Sequence, residues 1–529
     1  MYSSQGNFVT SRMIRQRLPK VCVAVTGADA GEMCDKAESI ARDNPFMEFR
    51  LDYLKNPATA YPKIKKLLET RPEIIVIATC RRAVNGGKFR GSASAEADVL
   101  SKAAAAGCQL IDIELESAKS LKKAEWEKLR TKAAVVLSYH DYKTSKKLDE
   151  TFEQMKQIPA DFYKIVSTAS SLYDNAMMMK LLERESDRYS MVGLCMGEQG
   201  IISRVLGVRA GSAFTFAAVT PGEETAPGQI SARDLREIYR IEQVDAATKV
   251  YGVVGDPVAH SLSPLMMNAG FRRESVHAVY LPLHAKKLED LLECVREIPL
   301  HGLSVTMPYK EEILEHLDNT DELSTKVGAC NTVIRSQEGR LYGFNTDVNG
   351  VVAPLESRMN LRGAKILVLG AGGAARAAVF GLKARGAEVS ILNRTPADAQ
   401  KLARKAQAKT IKSTDLKKLQ FDVIVNATSV GMGNDKDSPL SEADLKAQYV
   451  FDLIYSPKQT KLLRMAAAKG LHTISGSEMF VHQGARQFEI WTGKPAPVDV
   501  MQQVVDKALE APVPEANGNG KQAKKKAAR

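Results

Sequence analysis

The stretch ILVLGAGGAARAAVFGLKARGAEVSILNRT, residues 366–395, decides the fold of the carboxy-terminal half of the chain. An apolar run is followed by a glycine-rich turn, a helical segment and a second apolar run, which is the order of a βαβ unit. A GxGxxA match alone is weak, but in this context it predicts a turn that lets a pyrophosphate approach the backbone at the positive end of the helix. The residues expected to form this turn are Gly370, Ala371, Gly372, Gly373 and Ala374.

The residues after the second apolar run indicate which dinucleotide the turn serves. NAD sites usually carry an acidic residue there for the ribose hydroxyls, whereas this chain has Asn393, Arg394 and Thr395. Their hydrogen-bond donors suit a 2'-phosphate, so we predict NADP(H) as the cofactor. The alternative is a surface arginine that holds no ligand.

Eight short apolar runs lie upstream of this unit, between residue 20 and about residue 219. Helix-like polar segments separate them, which is the pattern of a (βα)8 TIM barrel, although an open doubly wound sheet gives a similar alternation. We favour the barrel. The predicted strands are 21–27, 47–54, 73–80, 110–116, 134–141, 162–169, 189–197 and 212–219.

Together these patterns predict an α/β protein with an amino-terminal TIM barrel, an α/β substrate subdomain and a Rossmann nucleotide-binding subdomain. The expected segments are a flexible amino terminus (1–19), the barrel (20–245), a second catalytic region (246–510) with substrate-binding (about 249–350) and nucleotide-binding (about 360–475) parts, and a disordered basic tail (511–529).

The net charge of +12 raises the possibility of a nucleic-acid partner, but its distribution argues against one. The first twenty and the last nineteen residues each contribute +4, which leaves a mild excess that suits anionic small molecules. No apolar run is long enough to span a bilayer, and the basic amino terminus lacks the apolar segment of a secretory signal. Seven scattered cysteines without metal-ligand spacing indicate a reducing compartment and predict no metal site. We therefore expect a cytoplasmic protein, with a plastid location as the less favoured alternative.

Charged residues on the predicted barrel strands point into the barrel. In MEFRLDYL the alternate residues Glu48, Arg50 and Asp52 share one face, and charges in an interior must satisfy one another or a ligand. Lys164 lies within the sixth strand and His140 ends the fifth. Burial of an ammonium lowers its pKa, and a neutral amine can attack a ketone to form a Schiff base. The alternative for Lys164 by itself is a structural ion pair.

The motifs TCRR, SYHD, YKIVSTA and TAPGQ, with Ser203 and Arg204, fall at successive strand ends. In these motifs the chain resembles type I 3-dehydroquinate dehydratase from residue 20 to 243. The resemblance implies that Lys164 forms an imine with the substrate ketone, that His140 is the general acid and base that removes the C2 proton, and that no cofactor is needed. It also implies a set of substrate-binding residues, namely Glu48, Arg50, Arg81, Arg204, Thr225 and Gln229.

Two positions depart from the dehydratase pattern. Asn85 stands where the family usually has a glutamate before the Gly-Gly pair, and Thr225 replaces the usual serine but keeps the hydroxyl. We expect Asn85 to hold the His140 ring by a hydrogen bond without offering a charge, so His140 should titrate lower than it would beside a carboxylate.

Polar motifs in the second half have a shared order. HSLSPLMMN, SVTMPYK, GACNT, GFNTDVNG, NATSVGM, DLIYSPKQT and GSEMFVHQG resemble shikimate dehydrogenase across residues 250 to 505. The resemblance implies that Lys310 and Asp347 form a catalytic dyad, in which the lysine donates a proton to the ketone oxygen as hydride arrives. The other implied contacts are Ser261 and Ser263 for the substrate carboxylate; Thr306, Asn331, Asp347 and Gln483 for its hydroxyls; Tyr455 for the substrate; and Met432 and Gly476 for the cofactor.

One departure from that pattern is Ser304, where many relatives have asparagine before Val-Thr. The two resemblances together predict a bifunctional enzyme of the shikimate pathway. Its substrates would be 3-dehydroquinate and 3-dehydroshikimate, and we expect neither nucleic-acid nor membrane partners. One alternative is an active dehydrogenase with a catalytically weak or scaffolding barrel, and another is a nucleic-acid-binding protein that uses the basic ends. The sequence does not specify the oligomeric state.

Overall fold

The computed structural model describes residues 18–259, 261–298, 300–434 and 436–510. They form two compact units. The first contains residues up to 264 together with 275–313 and 335–339, and the second contains 265–274, 314–334 and the chain from 340 onward. The tail predicted to be disordered and all but two residues of the predicted flexible amino terminus lie outside the described residues. The predicted boundary near residue 245 does not coincide with this division and stays a prediction.

The strands and helices alternate along most of the chain. The strands are β1 Val21–Val25, β2 Phe46–Arg50, β3 Ile75–Thr79, β4 Leu110–Glu114, β5 Ala134–His140, β6 Phe162–Thr168, β7 Met191–Met196, β8 Thr215–Ala218, β9 Lys249–Gly255, β10 Ala278–His284, β11 Leu300–Val305, β12 Asn319–Thr320, β13 Thr332–Arg335, β14 Leu341–Phe344, β15 Lys365–Leu369, β16 Glu388–Leu392, β17 Lys409–Thr410, β18 Val423–Asn426, β19 Tyr449–Asp452 and β20 His472–Ile474. The helices are α1 Ala30–Ile40, α2 Tyr61–Thr70, α3 Ala93–Ala105, α4 Leu115–Ser120, α5 Lys123–Arg130, α6 Leu148–Met155, α7 Leu172–Glu185, α8 Ser203–Arg209, α9 Ala232–Glu237, α10 Ser263–Arg273, α11 Leu288–Glu297, α12 Glu322–Val327, α13 Asp347–Glu356, α14 Gly373–Ala384, α15 Pro396–Ala406, α16 Lys461–Ala468, α17 Gly476–Thr492 and α18 Val498–Glu510.

The first eight strands form a parallel barrel. From β1 to β7 each strand pairs with its successor, and β1 also pairs in parallel with β8. Ala213 N donates to Met191 O at 2.8 Å where the chain entering β8 approaches β7. A doubly wound sheet would instead reverse its strand order part-way, so the structure confirms the barrel. All eight predicted strands are present.

The barrel interior is layered because alternate residues of each strand point inward. The lower layer is apolar and fully buried, and consists of Cys22, Phe46, Ile77, Leu110, Val136, Phe162 and Val192. Two residues further along each strand the inward side chains become mainly polar, and they are Glu48, Thr79, Asp112, Ser138, Lys164 and Leu194. Charged groups therefore collect toward the carboxyl ends of the strands, above an apolar plug.

Strand β2 is shorter than predicted. It ends at Arg50, and residues 51–53 form a single 3-10 turn instead of continuing the strand to residue 54. Asp52 in this turn accepts two hydrogen bonds from the Arg50 guanidinium, both at 2.9 Å, and a third from Lys88 N at 3.1 Å. These bonds explain why the chain turns back here, because they satisfy the buried carboxylate locally.

The first unit also contains β9, β10, β11 and α11. β9 begins at Lys249 and pairs in parallel with both β10 and β11. Helix α11 packs against the barrel helix α7, where Lys180 Nζ lies 2.5 Å from Glu297 Oε2. At the end of β10, His284 Nε2 lies 2.9 Å from Asp256 Oδ1, and Nδ1 lies 3.2 Å from Glu198 Oε1 of the barrel.

The second unit contains a parallel six-stranded sheet in the order β17-β16-β15-β18-β19-β20. This is the 3-2-1-4-5-6 order of a Rossmann fold, as predicted. β15 and the following helix α14 flank the glycine-rich turn, and α13 packs against α14 and α17. Gly370 directly follows β15 with a φ of 112°, and a Cβ there would lie 2.9 Å from Ala427 O, so the turn requires glycine.

Candidate active sites

One pocket opens at the carboxyl ends of the barrel strands. Its empty volume is about 630 Å³, including the open mouth. Every residue predicted for the barrel site lines it: Glu48, Arg50, Arg81, His140, Lys164, Arg204, Thr225 and Gln229. The strand ends thus bring together groups that are up to 181 positions apart in the chain, as expected for a barrel active site.

Lys164 is buried in the wall of this pocket with its charge matched by two carboxylates. Its Nζ donates to Asp112 Oδ2 at 3.0 Å and lies 3.9 Å from Glu48 Oε1. The Phe216 ring lies below it, with Nζ 4.0 Å from the ring centroid. Thr79 Oγ1 in turn donates to Glu48 at 2.7 Å. The amine is therefore held in a fixed position facing the pocket.

His140 is surrounded by charged groups at its Nδ1. The two oxygens of Glu114 lie 3.1 and 3.3 Å from Nδ1, and Arg81 Nη1 lies 2.5 Å from it. Burial together with the charges of Arg81 and Lys164 lowers the pKa of His140 well below its usual value. Burial raises the pKa of Glu114 to about 7, although Arg81 opposes that shift. The ring is neutral in this surrounding, so it can act as a base.

Asp112 and Glu114 were not among the predicted site residues. They are alternate residues of β4, so they point into the barrel together, and Arg81 donates to both, at 2.7 Å to Asp112 Oδ1. Burial favours the neutral form of Asp112, but Lys164 and Arg81 outweigh it and hold its pKa below the usual range. The acidic alternation in LIDIELE was the sequence signal for this pair.

Arg204 differs from the other arginines of the pocket. Arg50 is paired with Asp52 and Arg81 with Asp112 and Glu114, whereas within the described residues Arg204 has backbone carbonyls as its hydrogen-bond partners and no carboxylate. Its side chain is fully buried, and burial lowers its pKa to about 10. A buried cation without a counter-charge is costly, so this position is prepared for an anionic ligand.

The prediction that Asn85 holds the His140 ring is wrong. Asn85 Nδ2 donates to Glu116 Oε2 at 3.2 Å, and its backbone oxygen accepts from the Tyr142 hydroxyl at 3.1 Å. The Tyr142 ring lies between this turn and the histidine, stacked on His140 at 6.1 Å between centroids. Asn85 belongs to a 3-10 turn that the Tyr142 ring separates from His140. The carboxylate beside His140 therefore belongs to Glu114.

The residues predicted for the dehydrogenase site fall in both units. Ser261, Ser263, Thr306 and Lys310 belong to the first unit. There Ser261 Oγ accepts from Ser263 N at 3.2 Å. Ser304, the departure from the family pattern, accepts a 2.6 Å hydrogen bond from the fully buried Tyr280 hydroxyl. This bond accounts for a small hydroxyl residue at that position.

Three other predicted residues meet in the second unit. Asn331 Nδ2 donates to Asp347 Oδ1 at 2.8 Å and to Gln483 Oε1 at 3.4 Å, and all three side chains are buried. Asn331 Oδ1 accepts from Thr346 N at 2.7 Å, which fixes the amide orientation. Tyr455 stacks on Phe480, with 5.0 Å between ring centroids. The Lys310–Asp347 dyad stays a prediction.

A long groove runs over the carboxyl ends of the Rossmann strands. Five of the predicted cofactor residues line it: Gly370, Ala371, Gly372, Asn393 and Arg394. The other five, namely Gly373, Ala374, Thr395, Met432 and Gly476, are not in its lining. A Cβ on Gly372 would meet no atom within 4 Å, so the glycine leaves open space before the amino terminus of α14. Arg394 is exposed at the groove, and these features fit a dinucleotide with a 2'-phosphate.

Family models match both halves of the chain. Residues 21–246 match "Type I 3-dehydroquinase" and residues 253–333 match "Shikimate dehydrogenase substrate binding domain". Residues 354–453 match "Shikimate / quinate 5-dehydrogenase" and residues 476–505 match "Shikimate 5'-dehydrogenase C-terminal domain".

One curated relative spans both halves. The chain is 34% identical to the chloroplastic bifunctional 3-dehydroquinate dehydratase/shikimate dehydrogenase of Arabidopsis thaliana, over 92% of this chain and 84% of the relative. The chain belongs to the bifunctional 3-dehydroquinate dehydratase/shikimate dehydrogenase family. It is also 40% identical to the NADP(+) shikimate dehydrogenase of Pyrococcus furiosus, over 49% of this chain and 96% of that protein. A crystal structure of shikimate 5-dehydrogenase from Thermus thermophilus aligns with 49% of this chain and all of that one, at 37% identity and a TM-score of 0.47.

This bifunctional dehydratase/dehydrogenase is thus an α/β enzyme with two activities, a type I 3-dehydroquinase and an NADP-dependent shikimate dehydrogenase. Its predicted family, fold, enzyme class and cofactor are confirmed. None of the helices in the described part of the chain is long and apolar enough to cross a membrane.

Proposed function

We propose that Lys164 attacks the ketone of 3-dehydroquinate and that the resulting imine carries the dehydration to 3-dehydroshikimate. The observation that supports this most directly is a single pocket that contains Lys164, His140 and a buried Arg204 without a counter-charge. The substrate carboxylate pairs with Arg204, and the hydroxyls bind Glu48, Arg50, Arg81, Thr225 and Gln229. Attack at the ketone expels water and leaves a protonated imine.

The protonated imine draws electrons from the neighbouring carbon. His140 removes the C2 proton, and the electron pair of that bond moves toward the imine nitrogen to give an enamine. Return of the pair expels the β-hydroxyl, which takes a proton from His140 and leaves as water. Hydrolysis of the imine then releases 3-dehydroshikimate and restores the amine. The low pKa of His140 supports its role as the base in this sequence.

Borohydride tests the imine. Reduction in the presence of 3-dehydroquinate or 3-dehydroshikimate should leave a secondary amine on Lys164, located by peptide mass spectrometry. Lys164→Ala should abolish both the adduct and dehydration, while Lys156→Ala, a lysine on the protein surface paired with Glu153, should abolish neither. An adduct on another lysine would contradict the assignment.

In the second half, Lys310 donates a proton to the carbonyl oxygen of 3-dehydroshikimate and Asp347 orients it. Ser261 and Ser263 bind the carboxylate, Thr306, Asn331 and Gln483 bind hydroxyls, and Tyr455 contacts the ring. NADPH, when bound, supplies the hydride. The hydrogen-bonded set of Asn331, Asp347 and Gln483 supports the hydroxyl-binding role.

NADP(H) binds along the Rossmann groove, with Arg394 at the 2'-phosphate and Asn393 and Thr395 beside it. The turn from Gly370 to Ala374 would hold the pyrophosphate, and Met432 and Gly476 would contact the nicotinamide part of the cofactor. The exposed guanidinium at the edge of the groove supports this orientation.

The two reactions are consecutive, since the dehydratase product is the dehydrogenase substrate. A coupled assay with 3-dehydroquinate and NADPH should therefore yield shikimate, and the absence of NADPH oxidation would favour the alternative of a scaffolding barrel. Lys164 and His140 in one pocket argue against that alternative. We further propose the cytoplasm as the location, a proposal supported by seven buried free cysteines.

A further inference from the structure

The His140 ring is held at Nδ1 by two groups that make opposite demands. A Glu114 carboxylate 3.1 Å away accepts a proton, whereas the Arg81 guanidinium 2.5 Å away offers one. A neutral imidazole carries a single proton, so Nδ1 donates to Glu114 or accepts from Arg81, but does not do both. Because these groups occupy Nδ1, Nε2 remains for the pocket that His140 lines.

The two arrangements correspond to two chemical roles of the ring. With Glu114 ionised, Nδ1–H donates to it and the bare Nε2 is a base. With Glu114 protonated, Arg81 donates to the bare Nδ1 and Nε2–H is an acid. A proton that moves between Nδ1 and Glu114 therefore converts His140 from the base that dehydration needs first into the acid that it needs second.

We propose that Glu114 is a positioning residue that exchanges a proton with His140 Nδ1 and so switches the ring between its basic and acidic forms. The proposal rests on the roles proposed for Lys164 and His140. When Nε2 takes the C2 proton, the Nδ1 proton passes to Glu114. When Nε2 gives its proton to the departing hydroxyl, Nδ1 recovers the proton from Glu114. The substrate loses H⁺ and OH⁻ as water, and the enzyme returns to its starting state.

The charges around the ring favour such an exchange over a lasting imidazolium. Arg81 at the end of β3 and Lys164 on β6 both place positive charge near the ring. Once Lys164 has formed the iminium with the substrate, its nitrogen still carries a positive charge. Two other charged residues near the ring are Asp112 on β4, which pairs with both of these cations, and Arg50. Tyr142 stacks on the ring face and contributes no charge at neutral pH. A buried carboxyl with a pKa of about 7 is matched to give and take a proton near neutrality.

Glu114→Gln separates proton exchange from ring orientation. The amide oxygen can still accept from Nδ1–H, but it cannot take up the proton. Glu116→Gln is the matched control, because Glu116 lies two residues further along the chain, is exposed and bonds Asn85 instead of the ring. For each protein we would measure the pH profile of dehydration turnover, the borohydride adduct on Lys164 and 3-dehydroshikimate reduction.

In the wild type and in Glu116→Gln, turnover should fall as pH drops below about 7, because a protonated Glu114 cannot accept from Nδ1. Glu114→Gln should lose turnover by about 10² to 10⁴, the usual range for general acid–base catalysis, and should lose the acid limb near pH 7. The Lys164 adduct and the reduction activity should persist.

Three results would overturn the proposal. Glu114→Gln could catalyse dehydration at the wild-type rate, or it could lose turnover yet keep the acid limb of the pH profile near pH 7. It could also lose the borohydride adduct on Lys164, which would assign Glu114 to imine formation. An adduct on another lysine in the wild type would instead overturn the proposed function. If Glu114→Gln lacks reduction activity and is therefore misfolded, Glu114→Asp decides, since a shorter carboxylate must retain the acid limb at reduced rate.

Discussion

Replacement of Arg204 by glutamine should weaken 3-dehydroquinate binding with little effect on the fold of the pocket. Arg204 Nε donates to Gly228 O at 2.7 Å, and its other nitrogens lie 3.3 Å from Phe216 O and Pro227 O. A glutamine amide can retain one of these bonds. What it removes is a positive charge that no carboxylate of the described residues neutralises.

The size of the effect follows from the burial of that charge. Burial lowers the pKa of Arg204 from 12.5 to about 10, which corresponds to roughly 3 kcal/mol against the charged form. A substrate carboxylate that pairs with the guanidinium can recover up to this amount, and charge-assisted hydrogen bonds contribute about 1.5 to 3 kcal/mol. Arg204→Gln should therefore raise the KM for dehydration by about tenfold to a hundredfold.

Steady-state dehydration kinetics measure this change, and Arg209→Gln is the control. Arg209 lies on the same helix α8, and burial also lowers its pKa, but it donates to Thr248 O and Ala246 O away from the pocket. Its replacement should leave KM unchanged. If Arg204→Gln changes KM by less than twofold, or if both variants raise it equally, the carboxylate does not bind at Arg204.

Three further outcomes are expected. Burial raises the pKa of Glu96 from 4.5 to about 7, so the folded state binds this proton more tightly than the unfolded state and stability falls as pH rises through these values. Glu96→Gln should therefore remove roughly 2.5 kcal/mol of the difference in unfolding free energy between pH 5 and pH 8, measured by urea denaturation. Arg394→Ala should weaken NADPH binding by about tenfold to a hundredfold and NADH binding little, by fluorescence titration; equal losses would exclude a 2'-phosphate contact. Lys310→Ala should lower reduction turnover by about 10² to 10⁴ with unchanged cofactor affinity, and near-normal turnover would contradict its role as proton donor.

Local patterns were sufficient to predict most of the barrel half. Strands are short apolar runs, and inward side chains alternate along them, so residues such as Lys164 and His140 could be assigned to the interior before any contact was known. Polar residues at strand ends then converge because the barrel closes. These two rules account for the convergence of Glu48, Arg50, His140 and Lys164, whereas Arg81, Arg204, Thr225 and Gln229 were expected in the pocket because of the resemblance to type I 3-dehydroquinate dehydratase.

Partner choice within the interior could not be predicted in this way. Asp112 holds Lys164 and Glu114 approaches His140 because β4 lies beside β5 and near β6 across the mouth, and that geometry depends on strand tilt and side-chain length. Asn85 was misassigned for the same reason. A resemblance gives its position in the chain, but the Tyr142 ring that separates it from His140 is a three-dimensional fact.

The packing of α11 on α7 bears on any attempt to express the two activities separately. A cut at residue 245 would sever the ion pair between Lys180 and Glu297 and remove Glu198 from the side of His284. The excised dehydrogenase would then present to water a helix face that the barrel covers in the intact chain. Compensating substitutions on α11 would be needed to keep such a fragment soluble, whereas swapping in a whole barrel with its α7 surface intact would not require them.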